Sequence, residues 1–242
     1  LTQRQSTPVN AYAYASATLQ VGGWQINNGY RFSGRIDEVK VYDGALTPAE
    51  VTALYNETHA CGPRLALEWR LDECALGAAP GEVQDASGQG NHGTPQGTAN
   101  TDTGRICKGG IFNGASPTRI EASTNFADGI ANDFTIAFWV NPTTTHQIDP
   151  ESTSGVGGVA GQRYVLYPAQ GTNAWGAGHA GAGVSVGTNG VSVYEHADSS
   201  SYMPPLLVWS GTLSGWTHVA VVYQSKQPRL YINGSLVRTG LT

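Results

Sequence analysis

The amino-acid sequence predicts an all-β protein, a sandwich or barrel of short antiparallel strands with one helix. Hydrophobic residues alternate with a period of two in almost every run, as in the half-buried strands expected at 65–71 and 134–140. Glycine is abundant, with 32 of 242 residues, and charged residues make up only 13%. Such a composition is rich in turns and poor in surface helices, and many short strands between turns are typical of a sandwich or barrel.

Further strands are predicted where β-branched and aromatic residues cluster between turn residues. These runs lie at 164–167, 184–186, 191–194, 206–209, 217–223, 229–232 and 236–238. The pairs Asn189-Gly190 and Asn233-Gly234 favour type I′ turns, because Asn and Gly tolerate the positive φ that this turn requires. They predict two hairpins.

One helix is predicted directly after Thr47. Thr47 is a suitable N-cap, Pro48 suits the first helical position, and Glu50 completes a capping box. An apolar stripe follows, and the helix should end near Asn56.

Charge and hydropathy exclude two classes of protein. The net charge is −5, with no basic run, so the counterion release that drives nucleic-acid binding is missing. No apolar run approaches the 18 or so residues of a membrane span. We therefore expect no nucleic-acid partner and no membrane insertion.

Several motifs together resemble a laminin-G-like domain of the concanavalin-A-like lectin/glucanase superfamily. The segment Gly34–Tyr42 with the capped helix is similar to the closing part of such a domain. Leu67–Glu73, Asp85–Gly93, Gly110–Gly114, Phe134–Val140, Trp216–Ala220 and Leu230–Gly234 are similar to its opening and central parts. The resemblance implies an antiparallel jelly-roll β-sandwich with one short helix.

The order of the segments differs from that of the family, because the closing segment comes first. We interpret 1–59 as the closing segment, 60–64 as a linker and 65–242 as the opening and central part. Three explanations fit: a window of a tandem array, a circular permutant, or a subunit that donates 1–59 to a neighbour. The short linker, which contains Pro63, favours donation, and neighbouring copies or adjacent repeats are then the expected partners.

A catalytic role is not expected, although the superfamily includes glycosidases. A retaining glycosidase needs two carboxylates about 5–5.5 Å apart, and Glu68 and Asp72 are the candidates. Between them lie apolar and basic residues rather than the alternating acids of such enzymes. The sequence therefore predicts a non-enzymatic protein.

A calcium site is predicted in the glycine-rich turn 85–93. Asp85 and Asn91 offer oxygen ligands of the kind that calcium prefers, and the resemblance implies that Asp37 adds a second carboxylate. The alternative is an Asx turn in which Asp85 and Asn91 only satisfy nearby backbone N–H groups.

Ligand contacts are expected in the long loops, which carry most recognition in sandwich folds. Trp175 and Tyr202 are the candidates, because an aromatic ring stacks on the apolar face of a sugar. The alternative for Trp175 is that it fills its own loop.

A disulfide between Cys74 and Cys107 is predicted from their positions after one strand and before another and from the low-charge composition. Cys61, in the linker, is left unpaired or pairs with another subunit. Taken together, the sequence predicts a secreted, cell-surface adhesion or structural repeat of a larger protein or fibre. The alternative is a calcium-dependent carbohydrate-binding module of a secreted enzyme, with glycans as partners.

Overall fold

The computed structural model describes residues 20–23, 30–56, 63–122, 130–168, 180–197 and 201–242, and these form two antiparallel sheets packed face to face. In chain order the strands are β1 (Gln20–Val21), β2 (Ser33–Tyr42), β3 (Leu65–Trp69), β4 (Gly93–Gln96), β5 (Asn100–Thr103), β6 (Lys108–Asn113), β7 (Arg119–Ala122), β8 (Phe134–Pro142), β9 (Tyr164–Leu166), β10 (Ala180–Gly187), β11 (Gly190–Ala197), β12 (Pro205–Ser210), β13 (Thr217–Gln224), β14 (Gln227–Ile232) and β15 (Ser235–Thr239). Helix α1 spans Pro48–Tyr55. The predicted all-β sandwich with one short helix is confirmed, and its two-sheet arrangement is consistent with a jelly roll.

One sheet has seven strands in the order β12-β11-β10-β9-β1-β7-β4. The other has eight: seven follow the order β15-β14-β13-β8-β2-β6-β5, and β3 pairs with β2 beside this path. Apolar side chains from both inner faces fill the space between the sheets, and the rings of Phe134 and Tyr223 stack there 4.5 Å apart.

Helix α1 begins and ends as predicted. The Thr47 side chain accepts from Glu50 N–H, the Glu50 carboxylate accepts from Thr47 N–H, and Asn56 is the C-cap. Its apolar residues pack on the outer face of the eight-stranded sheet, over Ala137 and Ala220. Both faces of the central strands are therefore buried.

Three hairpins illustrate how turns are specified. Asn233 and Gly234 have φ of +49° and +79° and confirm the predicted type I′ turn. The hairpin between β10 and β11 is also present, but its loop is Thr188-Asn189, one residue earlier than the Asn-Gly pair. A third hairpin turns at 225–226, where both residues adopt positive φ.

The first segment of the chain supplies strands to both sheets of its own sandwich. β1 lies between β9 and β7, and β2 lies between β8 and the strands β6 and β3. The expected donation of this segment to a neighbour is therefore corrected: the strand position is filled by the same chain. The predicted linker, with Cys61, lies mostly outside the described residues.

Among the described residues, no helix is long and apolar enough to cross a membrane.

Strand β2 should carry much of the stability, because its apolar side chains lie in the core. Ile36 is fully buried. Replacing it with alanine should lower the free energy of unfolding by about 2–5 kcal/mol, since it leaves a cavity between the sheets. Leu236→Ala is the control: Leu236 is 53% exposed on edge strand β15, so the change should stay within about 0.5 kcal/mol. Urea unfolding measures both, and equal effects would contradict a core position for β2.

Glu195 in β11 predicts a pH dependence of stability. Burial raises the pKa of this carboxyl to about 7, although the Tyr223 hydroxyl and the Lys226 charge oppose the shift. Because the folded pKa lies above the ordinary value of 4.5, stability should fall as pH rises between these values.

Glu195→Gln should remove this dependence. At about pH 8 the free energy of unfolding of the variant should exceed that of the wild type by on the order of 3 kcal/mol, because each unit of raised pKa corresponds to about 1.4 kcal/mol. Urea unfolding at about pH 5 and about pH 8 tests this. A variant that loses stability equally at both values would show that the carboxylate is not disfavoured in the folded state.

Candidate functional site

A forked strand creates the candidate site. Along residues 33–36, β2 pairs with β6, and along 39–42 it pairs with β3, while β8 pairs with both halves on the other side. The change of partner coincides with a bulge at Asp37–Glu38, where Glu38 adopts a φ of +49°. Because β3 and β6 separate here, a gap opens on the outer face of the eight-stranded sheet.

This gap is a cavity of about 350 Å³, which we call the fork pocket. Its wall combines residues of β2, β3 and the segment after it, the loop before β6, helix α1, β8 and β13. The lining residues are Glu38, Lys40, Leu54, Glu68, Arg70, Asp72, Ile106, Cys107, Trp139 and His218.

A chain of alternating charges runs along one side of the fork pocket. Lys40 Nζ lies 3.0 Å from Glu38 Oε2 and 3.8 Å from Glu68 Oε1, and Arg70 Nε donates to the same Glu68 oxygen at 3.0 Å. The Glu38, Lys40 and Glu68 side chains are only 12%, 10% and 3% exposed. Burial raises the pKa of Glu38 despite the opposing Lys40 charge.

His218 contributes a buried imidazole to the lining of the fork pocket. Its side chain is buried, and Nδ1 has no hydrogen-bond partner among the described residues. Burial, and then the Lys40 charge, lower the pKa of His218 to about 4, so the imidazole is neutral at physiological pH. A neutral ring nitrogen can donate or accept one hydrogen bond.

The Trp139 ring forms a covered part of the wall rather than an open stacking surface. The Arg105 guanidinium lies 4.7 Å from the ring centroid, and the His218 and Tyr55 rings lie 5.3 and 5.9 Å away. Trp139 is only 4% exposed. A ligand in the fork pocket would therefore be held mainly by polar groups.

Asp37 anchors the loop that forms the opposite wall. Its Oδ2 accepts from the backbone N–H groups of Arg105 at 2.9 Å and Ile106 at 3.2 Å, and its Oδ1 accepts from Glu38 N–H. Burial raises the pKa of this carboxyl to about 7, although the hydrogen bonds from Ile106 and Arg105 oppose the shift. Asp37 thus positions the pocket wall from within the sheet.

The three predicted calcium ligands fall into two separate hydrogen-bond groups: Asp85 and Asn91 bond each other in the turn, and Asp37 bonds the backbone of 38, 105 and 106. Asp37 and Asp85 share no hydrogen-bond partner. Asp85 accepts from Glu68 N–H and Ser87 N–H with Oδ1, and from Ser87 Oγ and Asn91 N–H with Oδ2. Since these donors occupy both carboxylate oxygens, the residues suit the Asx-turn alternative and do not fit a calcium ion.

The other side chains of that turn are used in the same way. The Asn91 amide donates to Ala66 O, and Trp69 Nε1 donates to Asn91 O. Within the described ranges, no group of three or more His, Cys, Asp or Glu side chains is arranged to hold a metal ion.

The predicted disulfide is not formed. Cys74 and Cys107 are both free and exposed. Lys108 Nζ donates to Cys74 O at 2.8 Å, so a hydrogen bond rather than a sulfur bridge connects the two segments. Cys107 instead lines the fork pocket.

The predicted loop site is only partly described. Trp175 lies outside the described residues, so the structure does not test its role. Tyr202 is partly buried at the end of the hairpin that β11 and β12 form, and its carbonyl accepts from Ala197 N–H at 3.2 Å. Burial, and then the Glu195 charge, raise its pKa.

Removing the Asp85 carboxylate should destabilise the turn, whereas removing calcium should not. Burial alone would raise the pKa of Asp85, but the hydrogen bonds from Glu68, Ser87 and Asn91 outweigh it and hold the pKa below its usual value. Its contribution is therefore present above about pH 4 and is lost as pH falls through the folded pKa. Asp85→Ala should cost about 1–3 kcal/mol, since buried donors lose their acceptor.

Asp102→Ala is the control, because Asp102 is a half-exposed partner of Arg35 and should matter little. Thermal unfolding with and without excess chelator checks the expectation. A chelator-induced decrease in Tm that is absent in Asp85→Ala would instead restore the calcium site.

Comparison with protein-family models matches residues 1–52 and 113–242 to a laminin-G-type model of the concanavalin A-like lectin/glucanases superfamily. The matched ranges leave out 53–112, and the match does not establish the order of the family's segments. The placement of the closing segment before the opening one therefore stays a prediction. No curated protein and no solved structure matches the chain. Because the matched ranges cover more than half of the sequence and the fold agrees, the chain belongs to the laminin-G-like family of the concanavalin A-like lectin/glucanase superfamily.

Proposed function

We propose that this chain is a non-catalytic adhesion domain of a larger extracellular protein, and that it binds a saccharide in the fork pocket. Family membership supports an extracellular binding role, since laminin-G-like domains are typically extracellular. The fork pocket, with its partly unused polar groups, is the observation that carries the proposal.

The size and charge of the pocket favour a small neutral polar ligand. A cavity of about 350 Å³ lies at the lower end of ligand sites, which span about 300–1,000 Å³, and suits a single sugar unit. The lining contains three carboxylates and two cationic side chains, which nearly balance in charge, so a highly charged ligand gains little. Hydroxyl groups both donate and accept, which matches the carboxylates and Lys40 of the lining.

The positions of the carboxylates support binding rather than hydrolysis. Lys40 Nζ lies between Glu38 and Glu68, where a retaining glycosidase would hold the sugar carbon between nucleophile and acid. The Asp72 carboxylate accepts from Lys108 N–H at 3.0 Å. Each candidate carboxylate thus already has a structural partner.

Glycan-array screening with and without a calcium chelator tests this function, followed by calorimetry on the glycans that bind. Glu38→Gln should weaken binding about tenfold or more, because a charge-assisted hydrogen bond is lost. Glu151→Gln, which breaks an ion pair with Arg238 elsewhere, should leave the affinity unchanged. Chelation should have no effect, and the bound glycan should release no reducing ends.

Two outcomes would contradict the proposal. The first is the absence of binding to any glycan. The second is loss of binding in Trp175→Ala or Tyr202→Ala with no change in Glu38→Gln, which would place the site in the long loops.

A further inference from the structure

Arg31 is a buried guanidinium group whose hydrogen bonds are largely unmade. It is only 1% exposed, and its one described hydrogen bond runs from Nη2 to Ser116 Oγ at 2.9 Å. Nε and Nη1 are buried and have no partner among the described residues. Arginine remains charged at all physiological pH values, so these N–H groups are strong donors that lack acceptors in the described part of the chain.

No acidic side chain balances this charge in the described surroundings. Arg119 is a charged neighbour among the described residues; burial, and then the Arg119 charge, lower the pKa of Arg31. Glu121 is already engaged by Arg119 Nε at 2.7 Å. Residues 1–36 contain no Asp or Glu, so the segment that leads to β2 cannot supply a carboxylate.

The backbone holds Arg31 firmly in this position. Arg31 forms an antiparallel bridge with Gly23, and Phe32 N–H donates to Gly22 O at 2.9 Å. A side chain at position 23 would have its Cβ 3.1 Å from Arg31 Cγ, which is closer than packing normally allows. The guanidinium is therefore preorganised beside the turn at Ser116 and strand β7.

We propose that Arg31 binds a small oxyanion, either a carboxylate or a sulfate group, through the N–H groups that have no partner among the described residues. A guanidinium presents its N–H groups in a planar fork that matches two oxygens of such an anion. An anion would provide acceptors for Nε and Nη1 and would offset the charge of Arg31, since Glu121 already pairs with Arg119. The near-complete enclosure of Arg31 favours a small anion or a terminal group over an extended acidic chain. None of these residues lines the fork pocket, so the site is independent of the proposed saccharide site.

Equilibrium dialysis of the full chain against radiolabelled sulfate and, separately, radiolabelled acetate tests the proposal. The wild-type protein should bind one equivalent of at least one anion saturably, and the preferred anion distinguishes sulfate from carboxylate. Arg31→Met should weaken this binding at least about tenfold, since the charged donors are lost. Arg64→Met is the matched control, because Arg64 is a half-exposed arginine paired with Asp43, and it should bind the anion as the wild type does.

Thermal unfolding provides a second measurement that does not depend on labelled anions. In buffer without either anion, Arg31→Met should melt at the same temperature as the wild type or higher, because an uncompensated buried charge is removed. Adding the bound anion should raise the Tm of the wild type by mass action and raise that of Arg31→Met less.

Absence of saturable binding of both anions by the wild-type protein would overturn the proposal, whether or not the variant folds. Equal binding by Arg31→Met would do the same. Glycan binding should be unchanged in Arg31→Met, so failure here is distinguishable from failure of the saccharide site.

Discussion

Strand β2 occupies the centre of the eight-stranded sheet, and its pairing is the constraint on which the rest of the structure depends. A ten-residue strand that changes partner from β6 to β3 cannot keep one register along both edges, and the bulge at Asp37–Glu38 absorbs the difference. The bulge also places Glu38 beside Lys40 and leaves β3 and β6 apart. The fork pocket is thus a consequence of how the sheet is assembled, and two of its carboxylates, Glu38 and Glu68, come from strands that frame it.

Burying the charged side chains at the fork costs free energy, and packing alone does not explain why charged residues stand there. Removing ions from water is expensive, and a buried ion pair is weak evidence for stability. The chain from Glu38 through Lys40 to Glu68 is mostly enclosed, and its outer end, Arg70, is half-exposed at the mouth. Apolar residues of similar volume would fill the same space at lower cost. Retention of charge beside a cavity is therefore easier to understand as a property of a binding surface than of a core.

Asp85 and Arg31 show how one rule separates a structural polar group from one that is open to a ligand. A buried polar atom needs a partner, and Asp85 has four donors supplied by its own turn and by the adjacent strand. Arg31 has one acceptor for its three nitrogens. The hydrogen bonds of Asp85 are all made within the described chain, whereas Arg31 has N–H groups that can still donate to a ligand.

The sequence by itself determined the elements whose signals are local. The capping box at Thr47 and Glu50 fixed the helix, Asn233-Gly234 fixed a hairpin, and alternation fixed the sandwich, because each depends on neighbouring residues alone. The third hairpin has Ser225-Lys226 instead of Asn-Gly and is held by hydrogen bonds from Ser225 N–H to Asp133 and from Lys226 N–H to Asn132. Only the tertiary structure decided that the first segment completes its own sandwich, and that Glu38, Glu68 and His218 meet in one pocket. These residues lie on strands distant in sequence, and strand pairing, which no local pattern records, brings them together.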